Sequence, residues 1–595
     1  LRADADSGGA RRGALQAWVR ALDAVQIVGQ VPGVTLPSLF DDVAAANPGR
    51  VALIGEREEL TYQALAALSG RYADWAIAEG LAPGSVIALL MRNCPSYVAI
   101  WCGLTKAGCI VALLNTNLVG AGLAHCVDAA RPARLIVSAD LLENLAGALP
   151  HLVAPVACWV HGETPDPRFP RIDGIGVPPA VARGRRAVAG RALLIYTSGT
   201  TGLPKAANVS HDKLVEWSLW FAGMMDVQPQ DRLYDCLPMY HSTGGVVAIG
   251  AMLLRGASVL IRERFSLARF WDDVADGDCT IFQYIGELCR YLMNAPPHRR
   301  ERQHRLRLCC GNGLRADVWE SFQRRFAIPH ILEFYAATEG SVSLYNAEEK
   351  PGAIGRVPPF LAHRFPIALI RCDPETGNPL RNADGFCIAC EPDEAGEAIG
   401  PIGTGDTAPG RRFDGYTDAA ASDRKRLRDV FAKGDCWFRT GDLMRRDRAG
   451  FYYFEDRIGD TFRWKGENVS ATEVATVIAA CPGVTEAIVY GVEVPGHEGR
   501  AGMAALTTGP SFGLAGLHVH LAANLPEYAR PLFIRLCASI ATTGTFKPVK
   551  AHLAREGYSA AAAPDPVWFR DRAVECFVPC DEPLRAALAR GLRRL

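Results

Sequence analysis

Between Phe40 and Val137 short apolar runs alternate with segments of helical periodicity. Apolar residues recur at helical spacing over Tyr62 to Ala78, Val86 to Met91 is a continuous apolar run, Tyr97 to Lys106 is helical again, and Ile110 to Leu114 is apolar again. A strand with no polar alternation is covered on both faces, so such runs belong in parallel sheets with helices on either side. The alternation resumes at Leu193 to Tyr196, Val259 to Ile261 and Ile331 to Glu333. The expected fold is α/β, a large N-terminal domain of mostly parallel sheets flanked by helices. Gly, Pro and charged residues then dominate from Cys390 to Asp435, and the short segments after Gly450 read as a smaller α+β C-terminal domain. The expected organisation is a leader over 1–36, a large domain over 37–456 and a small domain over 457–595.

The chain has 595 residues, with 64 Lys plus Arg against 64 Asp plus Glu. That balance leaves no global field to draw it onto nucleic acid, and no nucleic-acid partner is expected. Eighteen cysteines are scattered without metal-type spacing, which fits reduced thiols in the cytoplasm. The first residues show no apolar run followed by a small-residue cleavage site, so no secretion signal is expected. The longest apolar run, Gly244 to Ile261, is broken by Arg255 and Gly256 and reads as a core helix, a turn and a buried strand. Leu15, Trp18, Val19, Leu22 and Val25 recur at helical spacing near Arg11, Arg12 and Arg20. The pattern fits a helix lying on a membrane surface, and equally one packed on the protein's own body.

The densest chemical signal follows the apolar strand Ala192 to Ile195. It runs Tyr196-Thr197-Ser198-Gly199-Thr200-Thr201-Gly202-Leu203-Pro204-Lys205. Glycines let the backbone approach anion oxygens, successive N–H groups and hydroxyls donate to them, and Lys205 adds a point charge. It is not a Walker A loop, because Leu203 and Pro204 separate Gly202 from Lys205.

This loop resembles the signature of the acyl-adenylate-forming superfamily, and further elements match in family order. Tyr335-Ala336-Ala337-Thr338-Glu339-Gly340 is similar to its Tyr-Gly-x-Thr-Glu element, with Ala336 in place of Gly, and Thr440-Gly441-Asp442 to its ribose-binding element. The resemblance implies that Thr197, Ser198, Gly199, Thr200, Thr201, Gly202, Lys205, Tyr335, Asp442 and Arg457 hold ATP. It also implies that Thr338 bonds the α-phosphate and that Glu339 holds Mg²⁺, a hard cation suited to carboxylate and phosphate oxygens. Lys547, in Thr543-Gly544-Thr545-Phe546-Lys547, matches the family's adenylation lysine, followed here by Pro548. The small domain is then expected to be mobile, to withdraw Lys547 after the first step and to present Lys465-Gly466-Glu467-Asn468 at the thiol channel, with Gly459 or Asp460 as pivot. His241, with Gly244 and Gly245, lies where the family lines its acyl pocket, and these glycines with Ala248 and Gly250 are expected to leave room for a chain.

Longer stretches narrow the resemblance. Glu333 to Leu344, Lys350 to Pro358, Asp435 to Glu473 and Leu525 to Pro531 look like the fatty acid transport protein and very-long-chain acyl-CoA synthetase branch. The implied activity is ATP-dependent fatty acid:CoA ligation, with ATP, Mg²⁺, CoA and a fatty acid as the small-molecule partners and peripheral membrane contact allowed. Three alternatives stay open: transfer to another acceptor such as a carrier-protein thiol, ligation of a different bulky acid, and a fatty-acid binding or uptake protein without catalysis.

Overall fold

The computed structural model describes residues 3–590, apart from residues 32, 165, 174–189, 198–203, 374–375, 404–412, 459–460, 465–466, 496, 498, 542–549 and 559–564. Internal contacts divide the chain into two compact units. The first comprises Leu1–Pro366 with Gly400–Leu427, and the second Ile367–Ile399 with Arg428–Leu595. The second unit is therefore discontinuous and takes in more of the chain than the 457–595 segment read from composition.

The first unit is built on two sheets. In the six-stranded sheet the order is Ala157–His161, Arg134–Ser138, Val86–Leu90, Ile110–Leu113, Arg191–Thr197 and Lys205–Ser210. The first five strands are parallel and the last turns back antiparallel. The eight-stranded sheet runs Ser343–Asn346, His330–Ala336, Leu308–Asn312, Ile281–Ile285, Arg232–Asp235, Ser258–Ile261, Val51–Ile54 and Glu59–Thr61. Its six central strands are parallel and its two edge strands antiparallel. The mostly parallel architecture expected from the apolar runs is thus present, because strands such as Ile110–Leu113 are buried at every position.

Helices cover both faces. Pro95–Lys106 is buried almost all round and crosses Tyr62–Ala78 so closely that a Cβ on Gly103 would stand 2.3 Å from the Ser69 carbonyl oxygen. The Gly244 to Ile261 run resolves into a one-turn π-helix Thr243–Val247, a helix Ala248–Leu253, a turn at Gly256 and the strand Ser258–Ile261. Among the described residues no helix is long and apolar enough to cross a membrane.

The leader forms a helix, Ala3–Gln30, packed against the helix His211–Met224. Trp18 is buried among Trp220, Tyr345 and Phe365, and a Cβ on Gly223 would lie 2.5 Å from the Ala21 Cα. Arg20 donates to the Gly223 carbonyl at 3.2 Å. One face of this helix therefore packs on the protein's own body, while Leu15 and Val19 remain 45% and 44% exposed.

In the second unit the strands Ala368–Ile370, Ala395–Pro401, Cys436–Arg446 and Tyr452–Arg457 lie in one sheet, the last two as a hairpin. A five-stranded sheet follows, ordered Val484–Glu493, Arg500–Thr508, Phe533–Leu536, Val567–Asp571 and Cys576–Pro579, with only its second and third strands parallel. The helices Ala471–Ala479 and Leu514–Asn524 bury Val474, Ile478, Leu517 and Leu521 in the same core. This is the smaller α+β architecture expected of the C-terminal part.

Candidate active site

In sheets of this kind ligands bind beyond the carboxyl ends of the parallel strands, where loops and helix starts converge. The strand Arg191–Thr197 ends at Thr197, whose partner across the antiparallel pair is Lys205. Thr197 and Lys205 thus stand opposite each other in an antiparallel pair, at the two ends of the segment expected to cradle an anion, and the His125 ring bonds the Pro204 carbonyl at 3.1 Å. Ser198, Gly199, Thr200, Thr201 and Gly202 lie outside the described residues, as do Gly459, Asp460, Gly466 and Lys547.

Tyr335 stands near the carboxyl end of His330–Ala336, followed by the turn that carries Thr338 and Glu339. The turn is anchored three ways. The ammonium of Lys213, buried at the start of its helix and 5.2 Å from the Trp217 ring centre, donates to the carbonyls of Thr338 at 2.9 Å and Gly340 at 3.2 Å. The Thr338 hydroxyl lies 3.3 Å from that of Ser242, which brings the turn to the segment holding His241. Glu339 is buried and accepts from the Tyr416 hydroxyl at 2.7 Å, with the Lys425 ammonium 3.9 Å away. Burial, and next the neighbouring carboxylate, push the Tyr416 phenol well above its ordinary range, so it stays a donor at neutral pH.

His241 packs its ring against Tyr240, centroids 4.6 Å apart. The adjacent glycines are closely backed. A Cβ on Gly245 would fall 1.8 Å from the Met239 carbonyl oxygen and one on Gly244 2.8 Å from that of Leu237, while Gly250 is backed by Ser218 and Leu36. The missing side chains at 244 and 245 let the π-helical turn fold closely against the 237–239 backbone.

Glu333, two residues before Tyr335, is wholly enclosed. Its carboxyl accepts from the Gly313 and Leu314 N–H groups and from the Tyr284 hydroxyl, which ties the turn after Leu308–Asn312 to the next strand. Burial pushes this carboxyl up to about 8.

In the second unit, Asp442 and Arg457 are direct partners across the hairpin, with Arg457 Nε 3.0 Å from Asp442 Oδ1. The approach is set by Gly441, at φ +79, a left-handed position that a side chain resists. Thr440 Oγ donates to the Ala398 carbonyl at 2.7 Å and accepts from the Asp442 N–H at 3.0 Å. Glu397, fully buried, accepts two-pronged from Arg439 and also from the Gly441 N–H at 3.1 Å. Asp456 accepts from the hydroxyls of Ser470 and Thr472, both at 3.1 Å, and so joins the hairpin to the start of Ala471–Ala479.

An AMP-binding enzyme family model matches residues 40–397, and the model of the AMP-binding enzyme C-terminal domain matches 473–547. The chain belongs to the AMP-binding enzyme family. It is 40% identical over 570 residues to the mouse protein named long-chain fatty acid transport protein 1, covering 94% of this chain and 88% of the relative. With mouse long-chain fatty acid transport protein 3 the identity is 42% over 529 residues, 87% of this chain and 78% of the relative. Among solved structures, an ATP-bound MatB from Rhodopseudomonas palustris superposes with a TM-score of 0.72 at 23% identity, covering 89% of this chain and all of that one. An anthranilate CoA ligase with bound anthranoyl-AMP gives 0.74 at 20% identity, covering 90% and 100%.

Within this AMP-binding enzyme the family motifs account for Thr197, Lys205, Tyr335, Thr338, Glu339, Asp442 and Arg457. They miss the side chains that hold these in place: Lys213, Tyr416, Glu333, Glu397 and Arg439. Two of the five leave a trace in the sequence, since Glu333 and Glu397 are single carboxylates inside apolar strands and a buried carboxylate requires donors. Among the described residues no three His, Cys, Asp or Glu side chains converge as a metal cage. One carboxylate, Glu339, suits a Mg²⁺ ion that draws most of its ligands from phosphate and water.

Proposed function

We propose that this enzyme is a long-chain or very-long-chain fatty acid:CoA ligase, forming acyl-AMP and pyrophosphate from ATP and then the acyl-CoA thioester. The observation that carries the reading is the anchored Thr338–Glu339 turn meeting the Ser242 segment. It occurs in a chain that matches, over nearly its whole length, a relative named for long-chain fatty acids.

In the first step the acid's ionised carboxylate attacks the α-phosphorus. A carboxyl O–P bond forms, the α–β bridge breaks, and pyrophosphate leaves with the electron pair. Lys205 and the loop N–H groups offset charge on the phosphates, the Thr338 hydroxyl donates to the α-phosphate, and Lys547 orients the two reactants. Asp442, held by Arg457, accepts from the ribose hydroxyls. Mg²⁺, held by Glu339 with Tyr416 behind it, supplies further charge neutralisation when bound. In the second step the CoA thiolate attacks the acyl carbonyl, a C–S bond forms, the C–O bond to AMP breaks, and AMP departs. Rotation of the C-terminal part, exchanging Lys547 for the segment around Gly466, lets one site serve both reactions.

The exposed Leu15 and Val19 give the leader helix an outward apolar strip suited to peripheral membrane contact. The eighteen cysteines form no disulfide among the described residues, which fits the reducing cytoplasm.

The test is formation of AMP and thioester from ATP, Mg²⁺ and fatty acids of increasing length, with and without CoA. Thioester made only with CoA, and favouring long chains, is the expected result. Adenylate that accumulates in the presence of CoA without becoming thioester overturns CoA as the acceptor.

A further inference from the structure

One side chain joins the strand Lys205–Ser210 to the Thr338–Glu339 turn, and it belongs to neither motif. Tyr416 lies on a stretch bound to the edge of Lys205–Ser210. It bridges Ala207 in antiparallel register, the Thr417 N–H donates to the Ala206 carbonyl at 2.9 Å, and the Asn208 N–H donates to the Gly415 carbonyl at 2.9 Å. On the other side the Tyr416 N–H donates to Ser422 Oγ at 2.8 Å. Gly415, at φ +67, makes the bend, and a Cβ there would fall 2.8 Å from the same Ser422 oxygen. The backbone of Tyr416 is thus held from two directions, and its ring is buried.

The phenol hydroxyl donates its one proton to Glu339 Oε1 at 2.7 Å. The result is a direct tie from the edge of Lys205–Ser210 through Tyr416 to the carboxylate. Lys425 approaches the same Oε1.

We propose that Tyr416 is a positioning residue of the adenylation site, one that holds Oε1 of Glu339 in register with the Lys205–Ser210 strand so that the carboxylate meets the cation of Mg·ATP. This rests on the reading that Glu339 holds the metal. Groups that orient a metal ligand typically change metal affinity by about 10- to 100-fold when removed.

The experiment uses the full chain and a non-hydrolysable ATP analogue, with binding followed by calorimetry across a Mg²⁺ titration. Tyr416→Phe keeps the buried ring and loses only the hydrogen bond to Glu339. Its Mg²⁺ half-saturation is expected to rise about tenfold, while AMP affinity without Mg²⁺ stays at the wild-type value. In pyrophosphate exchange the loss is expected to be recovered at high Mg²⁺, an outcome that a general packing defect does not produce. Glu339→Gln serves as the reference, and in the double variant the tyrosine effect is expected to vanish. If Glu339→Gln leaves the Mg²⁺ half-saturation unchanged, the metal assignment fails. If Glu339→Gln shifts it and Tyr416→Phe does not, or the two effects add in full, the metal assignment stands and the positioning role is refuted.

Discussion

Replacing Glu333 with Gln tests the energetic cost of enclosing its carboxyl. Burial holds this group near 8 against an ordinary value of 4.5. Below pH 4.5 the carboxyl is protonated in both the folded and the unfolded chain and adds no pH dependence. Between 4.5 and 8 the unfolded chain releases a proton that the folded chain keeps, so stability falls as pH rises. At 1.36 kcal/mol per pH unit the full loss is about 5 kcal/mol by pH 8, an upper figure for a single group. Glutamine preserves the geometry, with its carbonyl accepting from Gly313 and Leu314 and its amide donating to the Tyr284 oxygen, and it does not ionise. The first unit, with roughly 390 residues, has an unfolding entropy of about 0.8 kcal/mol/K, so the loss corresponds to about 6 °C. Melting both proteins from pH 5 to pH 9 and taking the difference cancels every other titrating group. Glu333→Gln is expected to gain on the wild type by several degrees across that range. Parallel curves would show that Glu333 is ionised in the folded state at neutral pH and would refute the reasoning.

Three further outcomes are expected. Arg439→Met leaves Glu397 buried without its two-pronged partner and should cost the second unit about 3 to 5 kcal/mol, read by denaturant unfolding of that unit. Gly245→Ala forces a methyl group into the Met239 carbonyl and should cost about 3 kcal/mol with a matching fall in adenylation, seen in melting and in pyrophosphate exchange. A Leu15→Ser and Val19→Ser double variant should leave solution adenylation intact and reduce pelleting with lipid vesicles, because these side chains are exposed while Trp18 and Arg20 are engaged with the body.

Much of this molecule was legible without coordinates. Apolar runs without polar alternation can be buried only inside a layered sheet, which is why the strands near Val86, Ile110, Leu193, Val259 and Ile331 could be placed and called parallel. Loop chemistry is equally local, since glycines, hydroxyls and a lysine in one decapeptide suit an anion cradle, and it was the resemblance to the superfamily's short elements that nominated Thr338, Glu339, Asp442 and Arg457. For the leader helix, spacing alone left two surfaces open, because a 3.6-residue period records that one face is apolar and not what covers it. Only packing decided that Trp18, Ala21 and Val25 meet the body and that Leu15 and Val19 face outward. Only the tertiary fold brings the 237–239 backbone so close to positions 244 and 245 that they admit nothing larger than glycine. What no pattern in the chain revealed are the supports Tyr416 and Lys213. Tyr416 reaches Glu339 across 77 residues of sequence and Lys213 reaches Thr338 across 125. The sequence by itself nominated the groups for the chemistry, because short motifs carry their own donors and charges. The tertiary structure alone decided what holds those groups at their posts, because a hydrogen bond between distant segments exists only once the chain between them has folded.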